Sequence, residues 1–468
     1  MPDVQRRTGR RRRTAVVGLA GVISVGVLGA CAVEPQAQPP DQITVWIQED
    51  LPDRVAATQK IVDRFTAASG VSVELVPVAE DQFNQLLISN AAAGSLPDVV
   101  GGISLPQVRT LSANELLDTD AVARVMDSLD ESTFTPRALE LTRDGEDQLV
   151  VPSESWAQIL VYRKDLFDKA GLQPPTTYES ITAAAKALDS DEVAGFVGGT
   201  APGDAFTVQT FEHVALGNGC ELVDEAGEVT LESKACEGAF RFFGDLVDNY
   251  SVPGAQDVDT SRAAYFAGQA AMLIWSTFVL DEMAGLRDDA KPSCPQCRQD
   301  PAFLAKNSGV VTAIAGPEAS EPAVFGEITS WGITAESSTD AATQFVEYMM
   351  SDGYPPWIGI APEGKVPVRT GTPDKPTTFS DQWATLPAGV DTKAPLSDFY
   401  AKDVLDQVAA GPADFSRWAI PQGQGALLGA LQGEQPVAEA VNEVSTGGEP
   451  ADAARSAADT VRAIVESQ

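Results

Sequence analysis

Hydrophobic positions along the chain switch between two periods. Ile43-Thr-Val-Trp-Ile47 puts an apolar side chain at every second residue, the mark of a strand with one buried face. Helical spacing follows over about Pro52–Ser69 and stops at Gly70, where left-handed backbone costs least. Val71–Val78 reads as the next strand and Asp81–Ala93 as the next helix. Farther on, the Ala-rich stretch from Ser261 has helical spacing up to a stop at Gly268. Ala270-Ala-Met-Leu-Ile-Trp275 is then wholly apolar, as expected of a strand buried on both faces, and Phe278–Leu286 is helical again. Gly326–Thr334 and Thr339–Ser351 repeat the theme as a strand and an amphipathic helix. Alternating units of this length predict an α/β fold with mostly parallel sheets flanked by helices. Ligands in such folds sit beyond the carboxyl ends of the strands, so Trp275 and Ser276 are expected to face a cleft.

The first thirty residues break this pattern. Six Arg precede Ala15–Ala30, an apolar run interrupted only by Ser24 and too short for a membrane span of roughly 20 residues. Its ending, Leu28-Gly-Ala-Cys31, resembles a bacterial lipobox, in which the Cys becomes lipidated and N-terminal after cleavage. Residues 1–30 are therefore expected to be a lipoprotein signal peptide and Cys31 the lipidation site. Residues 31–42, with Pro35, Pro39 and Pro40, read as a polar tether. Acyl chains on Cys31 would hold the protein at the outer face of the cell membrane.

Charge excludes one class of partner. The 468 residues carry a net charge of −35; the leader contributes six Arg against one Asp, which leaves about −40 for the rest. Such a body cannot neutralise phosphates, so no nucleic-acid partner is expected. Cysteine usage fits an extracytoplasmic location. With Cys31 set aside, Cys220, Cys236, Cys294 and Cys297 remain, and four such residues outside the cell favour disulfides. Three connectivities are open; the spacing favours Cys220–Cys236 and Cys294–Cys297 over a zinc site, because there is a single Cys-x-x-Cys.

Catalytic signatures are sparse. One histidine, His213, leaves a single candidate base and is expected to cap or pack in its helix; no Gly-x-Ser-x-Gly elbow occurs. Gly359-Ile-Ala-Pro-Glu-Gly-Lys-Val366 approaches a phosphate loop, but Val366 stands where Ser or Thr would hold magnesium, so it is expected to be a surface loop. Gly423-x-Gly425 lacks the strand of a dinucleotide site. Paired carboxylates are uninformative among 67 acids. No cofactor and no metal are expected.

Several motifs together point to a family. Phe266-Ala-Gly-Gln-Ala-Ala-Met272 with Ile274-Trp-Ser276 resembles the central signature of extracytoplasmic solute-binding proteins of the large sugar-binding, maltose-binding-protein-like group, which serve ABC importers. Gly94–Val100 with its Pro-Asp pair, Leu149–Trp156, Leu160–Leu172 and Pro174–Glu179 resemble the same family. So do Gly217–Gly219 with Thr230–Tyr250, Asp414–Trp418 and the closing helices within Val437–Ile464. The likeness spans nearly all of residues 43–466.

The resemblance implies a two-lobed periplasmic-binding-protein-like fold with the ligand cleft between lobes, residues 43–152 and 326–366 forming one lobe and 153–325 and 367–468 the other. It implies a non-enzymatic, monomeric protein that closes on a small solute, most simply a sugar, and delivers it to permease subunits of an importer. Family ligand loops correspond here to Gln48, Glu49, Asp50 and Ser104; to Glu154 and Trp156 at the crossing; and to Asp204, Gln209, Trp275, Ser276, Glu327, Arg417 and Trp418. In that role carboxylates accept from hydroxyls, Arg417 donates to ring oxygens and Trp faces take C–H surfaces. Gln48 and Trp156 depart from an ordinary carbohydrate array and keep a second ligand class open, a glycerophosphodiester whose quaternary amine an aromatic cage would hold. An exported glycan-cleaving lipoprotein is the enzymatic alternative, and a ligand-sensing protein that signals to a membrane receptor would share the same fold and site.

Overall fold

The computed structural model describes residues 42–467, and of Asp81 the backbone alone. The signal-peptide and lipidation readings at residues 1–30 and Cys31 lie outside the described residues.

Strand β1 (Gln42–Gln48) alternates buried and half-buried positions, as its sequence period requires. Helix α1 (Pro52–Ser69) starts with Pro in its first turn and ends where Gly70 adopts φ 81°. Strand β2 (Ser72–Val78) and helix α2 (Glu80–Ala93) follow, then β3 (Val99–Ile103) and α3 (Leu105–Ala113). β1 pairs in parallel with both β2 and β3. Beyond the Pro-Asp pair, β3 continues through two glycines as far as Ile103. Gly102 bends it at φ 75°, and Gly101 lets the fully buried Trp331 ring lie where a Cβ would stand 2.1 Å from it.

The expected α/β class is present, but the sheet is mixed. A long crossing strand, Val151–Arg163, runs antiparallel to the return strand Val324–Ile333, which in turn lies antiparallel to β3. Beyond that overlap the crossing strand pairs antiparallel with Met272–Ser276 and with Ser308–Val311. The antiparallel content arises because one strand is shared by both halves of the sheet and the other returns alongside it. Helix Ala205–Gly217, capped by Asp204, packs against both strands. Helices Pro436–Val444 and Pro450–Ser467 pack together and against Lys234–Tyr250.

Smaller expectations resolve as follows. The family-like motif Pro174–Glu179 opens helix Tyr178–Leu188, capped by Thr177 with Ser180 closing the box. The predicted helix Phe278–Leu286 is shorter, Val279–Met283. The Gly359–Val366 segment is a buried turn, not a surface loop: Pro362–Gly364 is packed inside and Glu363 has no exposed surface. Both expected disulfides form, Cys220–Cys236 and Cys294–Cys297. His213 packs without exposure, its Nδ1 accepting from the Phe325 N–H at 3.4 Å, and burial pushes its pKa down to about 3, so it stays neutral. Among the described residues no helix is long and apolar enough to cross a membrane, and no cluster could hold a metal ion.

Asp98 ties the first sheet together. Its Oδ2 accepts from the Thr44 N–H at 2.7 Å and its Oδ1 from the Ser338 N–H at 2.6 Å, joining β1 to the start of helix Thr339–Met349. Asp98→Ala removes the carboxylate acceptor of two part-buried backbone N–H groups, so urea unfolding should show a loss of about 1–2 kcal/mol, whereas Asp98→Asn should recover part of it.

Candidate binding cleft

The register of the crossing strand decides which side chains meet. Glu154 lies opposite Thr329, Trp156 opposite Glu327, and Gln158 opposite Ser276. Directly opposed residues share a face, and so do alternate residues along one strand. Six polar or aromatic side chains from three strands therefore stand on one face of the sheet. Of these, Trp156, Ser276 and Thr329 keep partial exposure. The Trp156 ring lies against Phe325 at 6.2 Å.

Gln48 is the last residue of β1, and Glu49 and Asp50 follow it. Glu49 folds back on its own loop, accepting from the N–H of Asp50 (3.1 Å) and Leu51 (3.0 Å). Gln48 flanks Gly102, and Ser104 opens α3, its N–H donating to Gln107 Oε1 at 2.8 Å. Gln107 continues to Asn84 (2.9 Å), and Asn84 to Gln432 (3.0 Å), a run of neutral amides across α3, α2 and the C-terminal segment. On the other side, Asp204 Oδ1 accepts from the Phe206 N–H at 3.2 Å while its Oδ2 is buried without a partner. Burial raises the Asp204 pKa. Gln209 is half-buried on the same helix. Trp275 is nearly covered: its Nε1 donates to Val258 O at 3.0 Å, and the Arg262 guanidinium lies over its ring at 5.5 Å.

The remaining predicted residues point into protein. Arg417 Nε donates to Glu212 Oε1 at 3.1 Å and Nη1 to Glu327 Oε2 at 2.7 Å, with its guanidinium 4.7 Å from the Phe325 ring centroid. Glu327 Oε1 accepts from the Leu105 N–H at 2.8 Å. Trp418 is buried, its Nε1 donating to Cys220 O and its backbone N–H to Glu212 Oε1, both at 2.8 Å. Glu154 is likewise engaged, by Trp357 Nε1 at 2.8 Å and Lys365 Nζ at 2.6 Å. In this structure the groups expected to reach a ligand from Glu154, Glu327, Arg417 and Trp418 are taken by protein partners, because two lone carboxylates in the interior require cations beside them. Burial opposes the Arg417 charge, yet Glu212 and Glu327 more than offset it and its pKa is raised.

Sequence reasoning missed Gln158, whose carboxamide is buried with neither atom partnered, and the unpartnered hydroxyls of Thr207, Thr210 and Thr277. The alternation Glu154-x-Trp156-x-Gln158 inside an apolar strand was the available signal. Of the seven Trp, two keep partial exposure, Trp46 and Trp156; the others are packed inside, which leaves these two as aromatic surfaces. Two open cavities, of about 420 and 520 Å³, lie elsewhere and contain none of the residues expected at the ligand.

Residues 48–354 match the family described as bacterial extracellular solute-binding protein. The chain belongs to that family. This solute-binding protein is 29% identical over 365 residues to a putative ABC transporter periplasmic-binding protein, YcjN, of Escherichia coli (strain K12), covering 76% of this chain and 79% of that one. Among solved structures it resembles the GacH receptor of Streptomyces glaucescens (TM-score 0.65, 21% identity, 91% of this chain and 98% of that). It resembles maltose-bound MalE3 of T. maritima similarly (TM-score 0.66, 19% identity, 90% and 99%). These likenesses establish the two-lobed fold with a cleft between lobes.

Two outcomes follow for the charged frame. Arg417→Met leaves Glu212 and Glu327 without a buried counter-charge and should cost about 3–5 kcal/mol in urea unfolding, a loss that adding Glu212→Gln and Glu327→Gln should largely restore. Burial and the neighbouring Glu212 push the Glu221 pKa up to about 7. The folded chain thus holds this proton more tightly than the unfolded one, and the resulting stability is full below the ordinary carboxylate range and lost as pH rises through about 7. Melting curves across that range should fall less steeply for Glu221→Gln than for the native chain.

Proposed function

We propose that this solute-binding protein captures a sugar or oligosaccharide between its lobes by hinge closure and delivers it, chemically unchanged, to the permease subunits of an ABC importer. Lobe one comprises residues 43–152 and 326–366, and lobe two residues 153–325 and 367–468. Cys31, lipidated, holds the monomer to the outer face of the cell membrane through the tether.

The observation that carries this reading is the composition of the cleft floor. Trp156 keeps partial exposure on the sheet face that also carries Gln158, Thr329 and Ser276, and Gln48, Ser104 and Gln209 are further partly exposed polar positions of the expected site. Flat aromatic surface with planar polar groups suits a ring with C–H faces and equatorial hydroxyls. The buried carboxylates next to the floor are each held by a cation, Glu154 by Lys365 and Glu327 by Arg417. Neither stands as a free acid for glycosidic cleavage, which favours binding over hydrolysis. That GacH was solved with acarbose and MalE3 with maltose supports the same ligand class.

Thermal-shift measurements on residues 32–468 against mono-, di- and trisaccharides and glycerophosphodiesters test the reading, since a ligand that binds only the folded state raises Tm by mass action. A shift from one sugar family, with the sugar recovered intact, is expected. A shift from choline compounds alone replaces the sugar with a phosphodiester, and cleavage products overturn the transport role. Trp156→Ala should weaken the sugar about 10- to 100-fold, corresponding to the loss of one stacked aromatic face, with little change in ligand-free Tm.

A further inference from the structure

The crossing strand changes partners at one residue. As far as Ala157 it pairs with the return strand, and from Gln158 onward with Met272–Ser276. Gln158 lies opposite Ser276, the last residue of that strand, so it stands at a carboxyl end where the order of strands changes. In open α/β sheets ligands sit at such places. Its neighbours on the same face, Trp156 along the strand and Ser276 across it, both keep partial exposure.

The side chain at this point is a primary amide with nothing to bond. Gln158 has no exposed surface, and among the described residues neither Nε2 nor Oε1 has a hydrogen-bond partner. The other buried side-chain amides of the described residues are all engaged. Gln107 Nε2 donates to Asn84 at 2.9 Å and Gln148 Nε2 to Val150 O at 3.0 Å. Asn218 Nδ2 donates to Ala235 O at 2.7 Å and Gln256 Nε2 to Gly254 O at 3.0 Å. An interior amide left unpaired costs stability, so an aliphatic side chain of similar length would serve the fold better at position 158. Residues that break a folding rule without gain to the fold belong to functional sites.

We infer that Gln158 reads the hydroxyl pattern of the solute. Its Oε1 accepts from one hydroxyl and its Nε2 donates to the next, while the Trp156 face takes the adjoining C–H surface. This role rests on the sugar capture proposed above, because the amide is covered in this structure and meets a solute that enters with the lobes apart. A donor and an acceptor on one planar group match two adjacent hydroxyls of a ring or polyol, each of which can give and take a proton in a hydrogen bond. A solute lacking one of those hydroxyls leaves an amide atom as unpaired as it is here, and is rejected for that reason.

The test compares residues 32–468 of the native chain with Gln158→Leu and Gln158→Met. Without ligand, both variants should melt about 1–3 °C higher than the native chain, since each removes an unpaired amide from the interior. Thermal shifts are then measured with glucose, galactose, maltose, cellobiose and maltotriose, and with monodeoxy forms of whichever sugar binds. Both variants should bind that sugar about 10- to 100-fold more weakly, and should no longer distinguish it from the deoxy form that the native chain rejects. A ligand-free Tm that is unchanged or lowered in both variants overturns the inference, because the amide is then satisfied within the fold. Equal sugar affinity, or deoxy forms ranked as in the native chain, overturns it as well and leaves the sugar reading standing. A native chain that shifts with none of the sugars overturns the sugar reading and this role together. Should Gln158→Leu fail to fold, the unbranched Gln158→Met decides.

Discussion

The arrangement depends on one buried cation. Arg417, far along the chain, reaches Glu212 on the helix Ala205–Gly217 and Glu327 on the return strand, and Glu327 passes the connection to the Leu105 N–H at the start of α3. Each of the three charges would be costly in the interior alone; together they are tolerable, and only in one geometry. That geometry holds the helix Ala205–Gly217, the return strand and α3 in register with one another. The face carrying Trp156 is consequently a fixed surface, although the segments that build it come from distant parts of the chain.

The division of labour between charge and neutrality follows from this. Glu154 and Glu327 beside the crossing are paired with cations, while the Trp156 indole and the Ser276 and Thr329 hydroxyls keep partial exposure. Neutral groups can exchange water for ligand hydroxyls at low desolvation cost, whereas unpaired carboxylates could not. An acidic body of this size thereby presents a cleft whose character is not set by its net charge.

Local structure was legible wherever the physics is local. Gly70 ends α1 and the apolar run before Trp275 is a strand, because each signal acts within a few residues. The shared crossing strand was harder: Val151–Arg163 reads as an ordinary apolar run, and nothing in its residues states that partners arrive antiparallel from positions more than a hundred residues away. Burial was harder still. Arg417 and Trp418 have the residue types of a carbohydrate site, and what turns them inward is the position of Glu212, Glu327 and Cys220, which composition does not reveal. Glu363 sits in a Pro-Gly sequence typical of surfaces, yet the Phe278 ring covers its neighbour Gly364.

The return strand also governs how this chain comes to exist. Until residues 324–333 emerge, β3 offers a bare strand edge and the crossing strand lacks its neighbour along half its length. A chain made N-terminus first presents those edges while much of its length is still unfolded. Such long-range pairing slows folding and lengthens exposure to self-association. The heavy negative charge then has a kinetic use: mutual repulsion between half-made copies protects open edges during the interval before the strand that closes them arrives.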